Sequence, residues 1–164
     1  MRDKDNKGIY ISQQSLIKKM IKEFEEDISK LGKYKTPGAP GSKVLRPEDN
    51  SRKINEKLQS KYRTGVGSLL YLVKILRPDL CNITRDLSKV LDGATKIHWD
   101  ALMRALKFVK DTINWKLVLR PNHWDQVKWN MVVYCDSDYS GDKDTRISVT
   151  GYIIFLMGAV VCYK

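Results

Sequence analysis

The stretch HWDALMRALKFVKDTINWKLVLR, residues 98–120, changes its period part-way along, and that change decides the fold. In its first part Leu102, Leu106, Val109 and Ile113 recur at three- and four-residue steps, the signature of a helix with one buried side, over about His98 to Thr112. Arg104, Lys107 and Lys110 fall on the opposite side, so the outer face of this helix reads as basic. Beyond Ile113 the helical step is lost, and Lys116 to Arg120 is a short β-branched and apolar run that reads as a strand.

Everything before this switch is helical in pattern. From Ser12 onward Leu16, Ile17, Met20, Ile21, Phe24, Ile28 and Leu31 form an apolar stripe, and Gly32 stands where a C-terminal cap belongs. The run from Thr36 to Gly41 carries two prolines and two glycines, and the polar residues up to about Asn55 offer nothing to bury, so a surface loop is expected. A second helix over about Leu58 to Leu76 carries Tyr62, Val66, Leu69, Leu70 and Val73. It stops before Arg77-Pro78 because the residue preceding proline avoids the helical region. Asp79 or Asn82 is placed to cap a short helix running to about Leu91. Everything after the switch is strand-like: Met131 to Cys135, Gly151 to Met157 and Ala159 to Tyr163, separated by turn-forming clusters. The predicted class is α+β, a bundle of about four helices in residues 1–115 followed by an antiparallel sheet of three or four strands in 116–164.

Composition narrows the partners. Thirty basic against nineteen acidic residues give a net charge of +11, which biases the surface towards polyanions. The excess is spread along the chain, at +3 in residues 1–50, +5 in 51–100 and +3 in 101–164, so no basic tail explains it. A face laid along a phosphate backbone has this distribution, and so does a merely basic soluble surface. Tyr71, Trp99, Phe108 and Trp115 have the spacing of core residues, with base stacking as the other use for them. Cys81, Cys135 and Cys162 lie far apart in apolar surroundings and read as buried thiols of a reducing compartment. His98 and His123 have no partners at metal-ligand spacing. Gly65 and Gly67 follow no strand and precede no Lys-Ser or Lys-Thr, so they read as sites of close helix packing and not as a phosphate loop. The charged N-terminus lacks a signal-peptide core, and no apolar stretch reaches membrane-spanning length. A soluble, intracellular product without a membrane or small-molecule partner is expected.

The segment densest in chemistry begins at Val132 and runs through Asp136, Asp138, Ser140, Gly141, Asp142 and Asp144. An apolar strand entering a run of carboxylates places Asp136 and Asp138 on one face, two residues apart, where their charges repel unless a cation intervenes. Three readings stand side by side. A divalent-metal site for phosphodiester chemistry needs three or four carboxylates gathered from separate elements. A calcium loop fits at its first, third, fifth, sixth, seventh and ninth positions but has Ile147 where a bidentate Glu is required. A polar hairpin turn, with aspartates accepting from backbone amides, needs nothing further.

Several motifs in fixed order bear on this choice. They are Ile9-Tyr-Ile-Ser-Gln13, Thr36-Pro37, Tyr62-Arg-Thr-Gly-Val-Gly-Ser-Leu-Leu-Tyr-Leu72, Arg77-Pro-Asp79, Leu87-Ser88, His98-Trp99, and the segment from Asp136 to Asp144 leading to Arg146 and Tyr152. Together they resemble the C-terminal part of copia-type retrotransposon Pol polyproteins. The resemblance implies that residues 1–115 correspond to helices of the reverse transcriptase thumb and connection, which grip a primer-template duplex. It further implies that residues 116–164 are the opening strands of an RNase H-like domain, incomplete here. Asp136 matches that family's first metal-binding aspartate, which makes it a vestigial catalytic candidate, with Asp136 and Asp138 as the magnesium ligands present. The family's Tyr-Val-Asp-Asp motif and its later Glu and Asp ligands are not encoded. Leu76, Tyr139-Ser140 and Cys162-Tyr163 depart from the family pattern.

The function this implies is that of a Pol fragment, catalytically inactive alone, with residual non-specific binding to an RNA/DNA duplex. Arg77, Arg104, Lys107 and Lys110 are its expected nucleic-acid contacts. The alternatives are an RNase H completed by carboxylates from another chain, and a host-adopted interaction module without chemistry. An incomplete sheet leaves an apolar face open and favours self-association.

Overall fold

The computed structural model describes residues 2–3, 8–40, 47, 52–120, 129–138 and 148–164. It divides into a helical unit, residues 13–115, and a strand unit built from residues up to 12 together with 116–164.

The helical unit holds the core. Helix α1, Gln14–Ile28, buries Ile17, Met20, Ile21, Phe24 and Ile28, the apolar stripe its sequence announces. It ends at Ser29, and Gly32 lies beyond it without the left-handed conformation of a glycine cap. Helix α2, Glu56–Ile75, starts two residues earlier than its apolar pattern suggests because Asn55 caps it, its side chain accepting from the Leu58 amide at 2.8 Å. A 3-10 turn, Pro78–Leu80, leads directly into α3, Cys81–Ser88. Neither Asp79 nor Asn82 caps that helix: Asp79 is held by Arg77, and Asn82 lies within the first turn. Helix α4, Lys96–Asp111, packs against α1, α2 and α3 through Trp99, Leu102, Met103, Leu106 and Val109. Its N-terminus is closed by a capping box in which His98 replaces the usual Glu or Gln. The Thr95 amide donates to His98 Nδ1 at 3.0 Å, and the imidazole is buried. Substituting His98 by Ala is expected to lower stability by about 1 kcal/mol, read from the urea midpoint of helical circular dichroism, with partial recovery in His98→Gln.

Two glycines of α2 part company. A Cβ on Gly65 would lie 2.9 Å from Leu102 Cδ2 and 3.1 Å from Phe24 Cζ, so this glycine lets α2 close on its neighbours. A Cβ on Gly67 would meet nothing within 4 Å, because that position faces outward.

Among the described residues the strand unit contains two three-stranded sheets. In the first, β1 (Arg2–Asp3), β2 (Gly8–Ile11) and β3 (Leu117–Leu119) pair antiparallel, with Ile9 opposite Leu119 and Ile11 opposite Leu117. The second is an antiparallel meander of β4 (Met131–Asp138), β5 (Val149–Leu156) and β6 (Ala159–Tyr163). Met157 and Gly158 form the turn between β5 and β6, both at positive φ, which matches the twist a two-residue hairpin requires. Strand β4 runs past Cys135 to include Asp136 and Asp138, so these carboxylates sit in the ladder itself. Among the described side chains of this meander only Ala159 is buried, while Met131, Val133, Tyr134 and Val161 are exposed. Cys135 and Cys162 are exposed on it as well, and Cys81 is half-buried, which corrects the reading of all three as buried thiols. No described helix is long and apolar enough to cross a membrane.

Candidate functional site

The basic side of α4 is occupied by the protein itself. Lys107 is buried and donates to both Asp111 oxygens, at 2.5 and 2.7 Å, one helical turn away. Lys110 reaches Glu25 of α1 at 2.5 Å. The Arg104 guanidinium lies over the Tyr34 ring at 4.2 Å and donates to Thr36 Oγ1 at 3.4 Å, and its Nε is buried without a hydrogen-bond partner. The charges that read as an outer face are therefore neutralised or stacked. Asp111, four residues after Lys107, was the sequence signal for one of these pairs; Glu25, from a different helix, left none.

Arg77 is further inside. It is 3% exposed, holds Asp79 through Nε at 2.9 Å and Nη2 at 2.8 Å, and donates from Nη2 to Thr112 Oγ1 at 2.8 Å. Its guanidinium lies 5.6 Å from the Phe108 ring centre and 5.3 Å from that of Trp115. A side chain so enclosed cannot meet a phosphate, which corrects its assignment as a nucleic-acid contact: the Arg77-Pro-Asp79 motif is a clamp joining the end of α2 to the end of α4. Burial and the neighbouring Asp79 raise the Cys81 thiol above its ordinary range, which keeps it protonated.

The outward face of α2 is accessible instead. Leu70, Tyr71 and Ile75 are exposed there, Lys74 lies between them, and open Gly67 sits one turn before Tyr71. Arg63 is on the same face, where it donates to the Leu91 carbonyl and to Asp92. An apolar and aromatic surface with a cation and a glycine allowing close backbone approach suits a groove-shaped partner. This corrects the reading of Leu70 as part of the apolar stripe of α2 and of Tyr71 as core-spaced: the stripe of Tyr62, Val66, Leu69 and Leu72 fills the buried side, and Leu70 and Tyr71 fall beside it.

The carboxylates of β4 are the other candidate. Asp136 is exposed and faces Gly151 across the ladder, and the partner position of Asp138 is Val149, so β5 adds no carboxylate beside them. Among the described residues no group of three or more His, Cys, Asp or Glu is placed to hold a metal ion. Asp142, Asp144 and Ile147, like His123, lie outside the described residues. One strand with two carboxylates does not fit a two-magnesium centre, which takes ligands from several elements.

Comparison with known proteins bears on what these surfaces belong to. The chain is 27% identical over 167 residues to the retrovirus-related Pol polyprotein from transposon TNT 1-94 of Nicotiana tabacum, covering all of this chain and 12% of that protein. It is 30% identical over 149 residues to the Pol polyprotein from transposon RE1 of Arabidopsis thaliana, covering 91% of this chain and 9% of that protein. Over 103 residues it is 31% identical to Secreted RxLR effector protein 161 of Plasmopara viticola, covering 63% of this chain and 70% of that protein. The chain is similar to a segment of the retrovirus-related Pol polyproteins of plant transposons. It spans about a tenth of the length of the two transposon Pol polyproteins. No protein-family model matches it, and no solved structure does. The Arg77 clamp and the capping box at Thr95 and His98 belong to the architecture of the helical unit, while the α2 face and Asp136 of β4 are exposed.

Proposed function

We propose that this chain is the part of a copia-type Pol polyprotein in which the last helices of the reverse transcriptase adjoin the first strands of RNase H, and that unaided it binds RNA/DNA hybrid without sequence preference. The order of its motifs supports the assignment of the two parts. The meander β4-β5-β6, with Asp136 near the end of its first strand, is consistent with the opening of an RNase H-like sheet. The observation that carries the binding reading is the α2 face, where Tyr71 and Lys74 are exposed beside an open Gly67 in a chain of net charge +11. Duplex backbone contacts come from lysines and arginines, and contact inside a groove from apolar and aromatic side chains that approach closely.

In this reading Asp136 and Asp138 contribute no chemistry by themselves, because two-ion phosphodiester cleavage requires carboxylates from further elements. Salt titration of hybrid binding, followed by fluorescence anisotropy, tests the proposal. Affinity is expected to fall linearly with salt on logarithmic axes, with a slope of about −0.9 per phosphate neutralised. Gly67→Leu, which fills the open position on the α2 face, is expected to weaken binding about tenfold without loss of helical signal. No binding at low salt would sink the proposal. Magnesium-dependent cleavage of the hybrid by the purified chain, abolished in Asp136→Asn, would replace it with an enzymatic one.

A further inference from the structure

We propose that Lys30, Lys33 and Lys35, presented by the turn after α1, form a phosphate-backbone contact for a nucleic-acid duplex; this rests on the binding function above and places a second part of its surface. The turn is built to hold these lysines outward. Ile28 is fully buried at the end of α1, Leu31 packs against the core, and Tyr34 lies half-buried beneath the Arg104 guanidinium. Inward residues therefore recur every third position, and the lysines between them are exposed.

Beyond Tyr34 the chain is fastened again. Thr36 accepts from Arg104 and donates from Oγ1 to the Gly38 carbonyl at 2.7 Å, and Pro37 and Pro40 restrict the backbone that follows. Arg104, whose own charge is spent on a stack and a hydrogen bond, thus orders a neighbouring segment whose charges are free to act.

The electrostatics favour a polyanion. Of the three acidic residues in the last turn of α1, Glu25 is held by Lys110 and Asp27 by Lys61. Residues 30–36 contain no acid, and none of the three lysines has an acidic partner among the described residues. On α1 itself lysines and acids are interspersed in sequence, Lys19 and Lys22 each having a glutamate four residues on, Glu23 and Glu26. Three lysines exposed within residues 30–35 concentrate positive charge where the repeated charges of a phosphate backbone can meet it.

The test compares two triple variants of the full chain with equal changes in net charge. Lys30→Ala, Lys33→Ala, Lys35→Ala is expected to reduce the salt slope of hybrid binding by about 2 to 3, whereas Lys18→Ala, Lys19→Ala, Lys22→Ala is expected to change it by less than about 1. All six positions are exposed, so thermal midpoints should match the wild type; the milder Lys33→Gln, Lys35→Gln variant, expected to lose about 1 to 2 units of slope, repeats the comparison. Wild-type binding with an unchanged slope in the turn variants, or equal losses in both triple variants, overturns this inference and leaves the binding function standing. Absence of wild-type binding overturns both. Binding to phosphatidylserine vesicles with the same lysine dependence, and none to hybrid, would assign the turn to a lipid surface and likewise overturn it.

Discussion

Replacing Arg77 with Met is expected to lower the stability of the helical unit by about 3 kcal/mol, measured as the shift in its urea unfolding free energy by circular dichroism at 222 nm. The substitution keeps much of the volume and removes a guanidinium bonded to Asp79 and Thr112 and stacked near Phe108 and Trp115. Asp79 then loses its partner, but its side chain is 31% exposed, so water recovers part of the loss and the effect stays below that of breaking a fully buried pair. Arg77→Lys retains a charge but neither the two-pronged bond nor the planar stack, and about 2 kcal/mol is expected. A change under about 0.5 kcal/mol in both variants would show that the clamp contributes nothing to the fold and would return Arg77 to consideration as a binding residue.

Gly65→Val is expected to destabilise the same unit by about 3 kcal/mol, while Gly67→Ala two positions on stabilises it by about 0.8 kcal/mol. A branched side chain at position 65 collides with Leu102 and Phe24, both with no exposed surface, so neither can move aside without disturbing the packing of α1 and α4. At position 67 the added methyl meets open space, and only the helix-propensity gain over glycine remains. Equal effects at the two sites, read from urea midpoints, would mean that α2 is rotated relative to the face described. Because Gly67 lies on the proposed docking surface, Gly67→Ala should stabilise the protein and yet not tighten hybrid binding.

Much of the helical unit was legible because burial on a helix is a local, periodic property. The stripe from Ile17 to Ile28 and that from Leu102 to Val109 point to one side at 3.6 residues per turn whatever they pack against. Helix ends were less legible, since the Asn55 cap and the Thr95–His98 capping box rest on one or two hydrogen bonds that composition does not announce. The strand Gly8–Ile11 was not legible at all, because its partner Leu117–Leu119 is separated from it by the entire helical unit and nothing local fixes that pairing.

The candidate sites divide along the same line. The sequence by itself determined the α+β order of elements, the net positive charge, the shared face of Asp136 and Asp138, and a family resemblance carried by motif order. Only the tertiary structure decided which charges reach solvent. Lys107 and Lys110 find carboxylates on their own and a neighbouring helix, Arg77 is drawn in beside two aromatic rings, and Arg104 orders the turn that leaves Lys30, Lys33 and Lys35 exposed. The physical reason is that Coulomb and stacking energies depend on distances through space, whereas periodicity reports only the direction in which a side chain sets out.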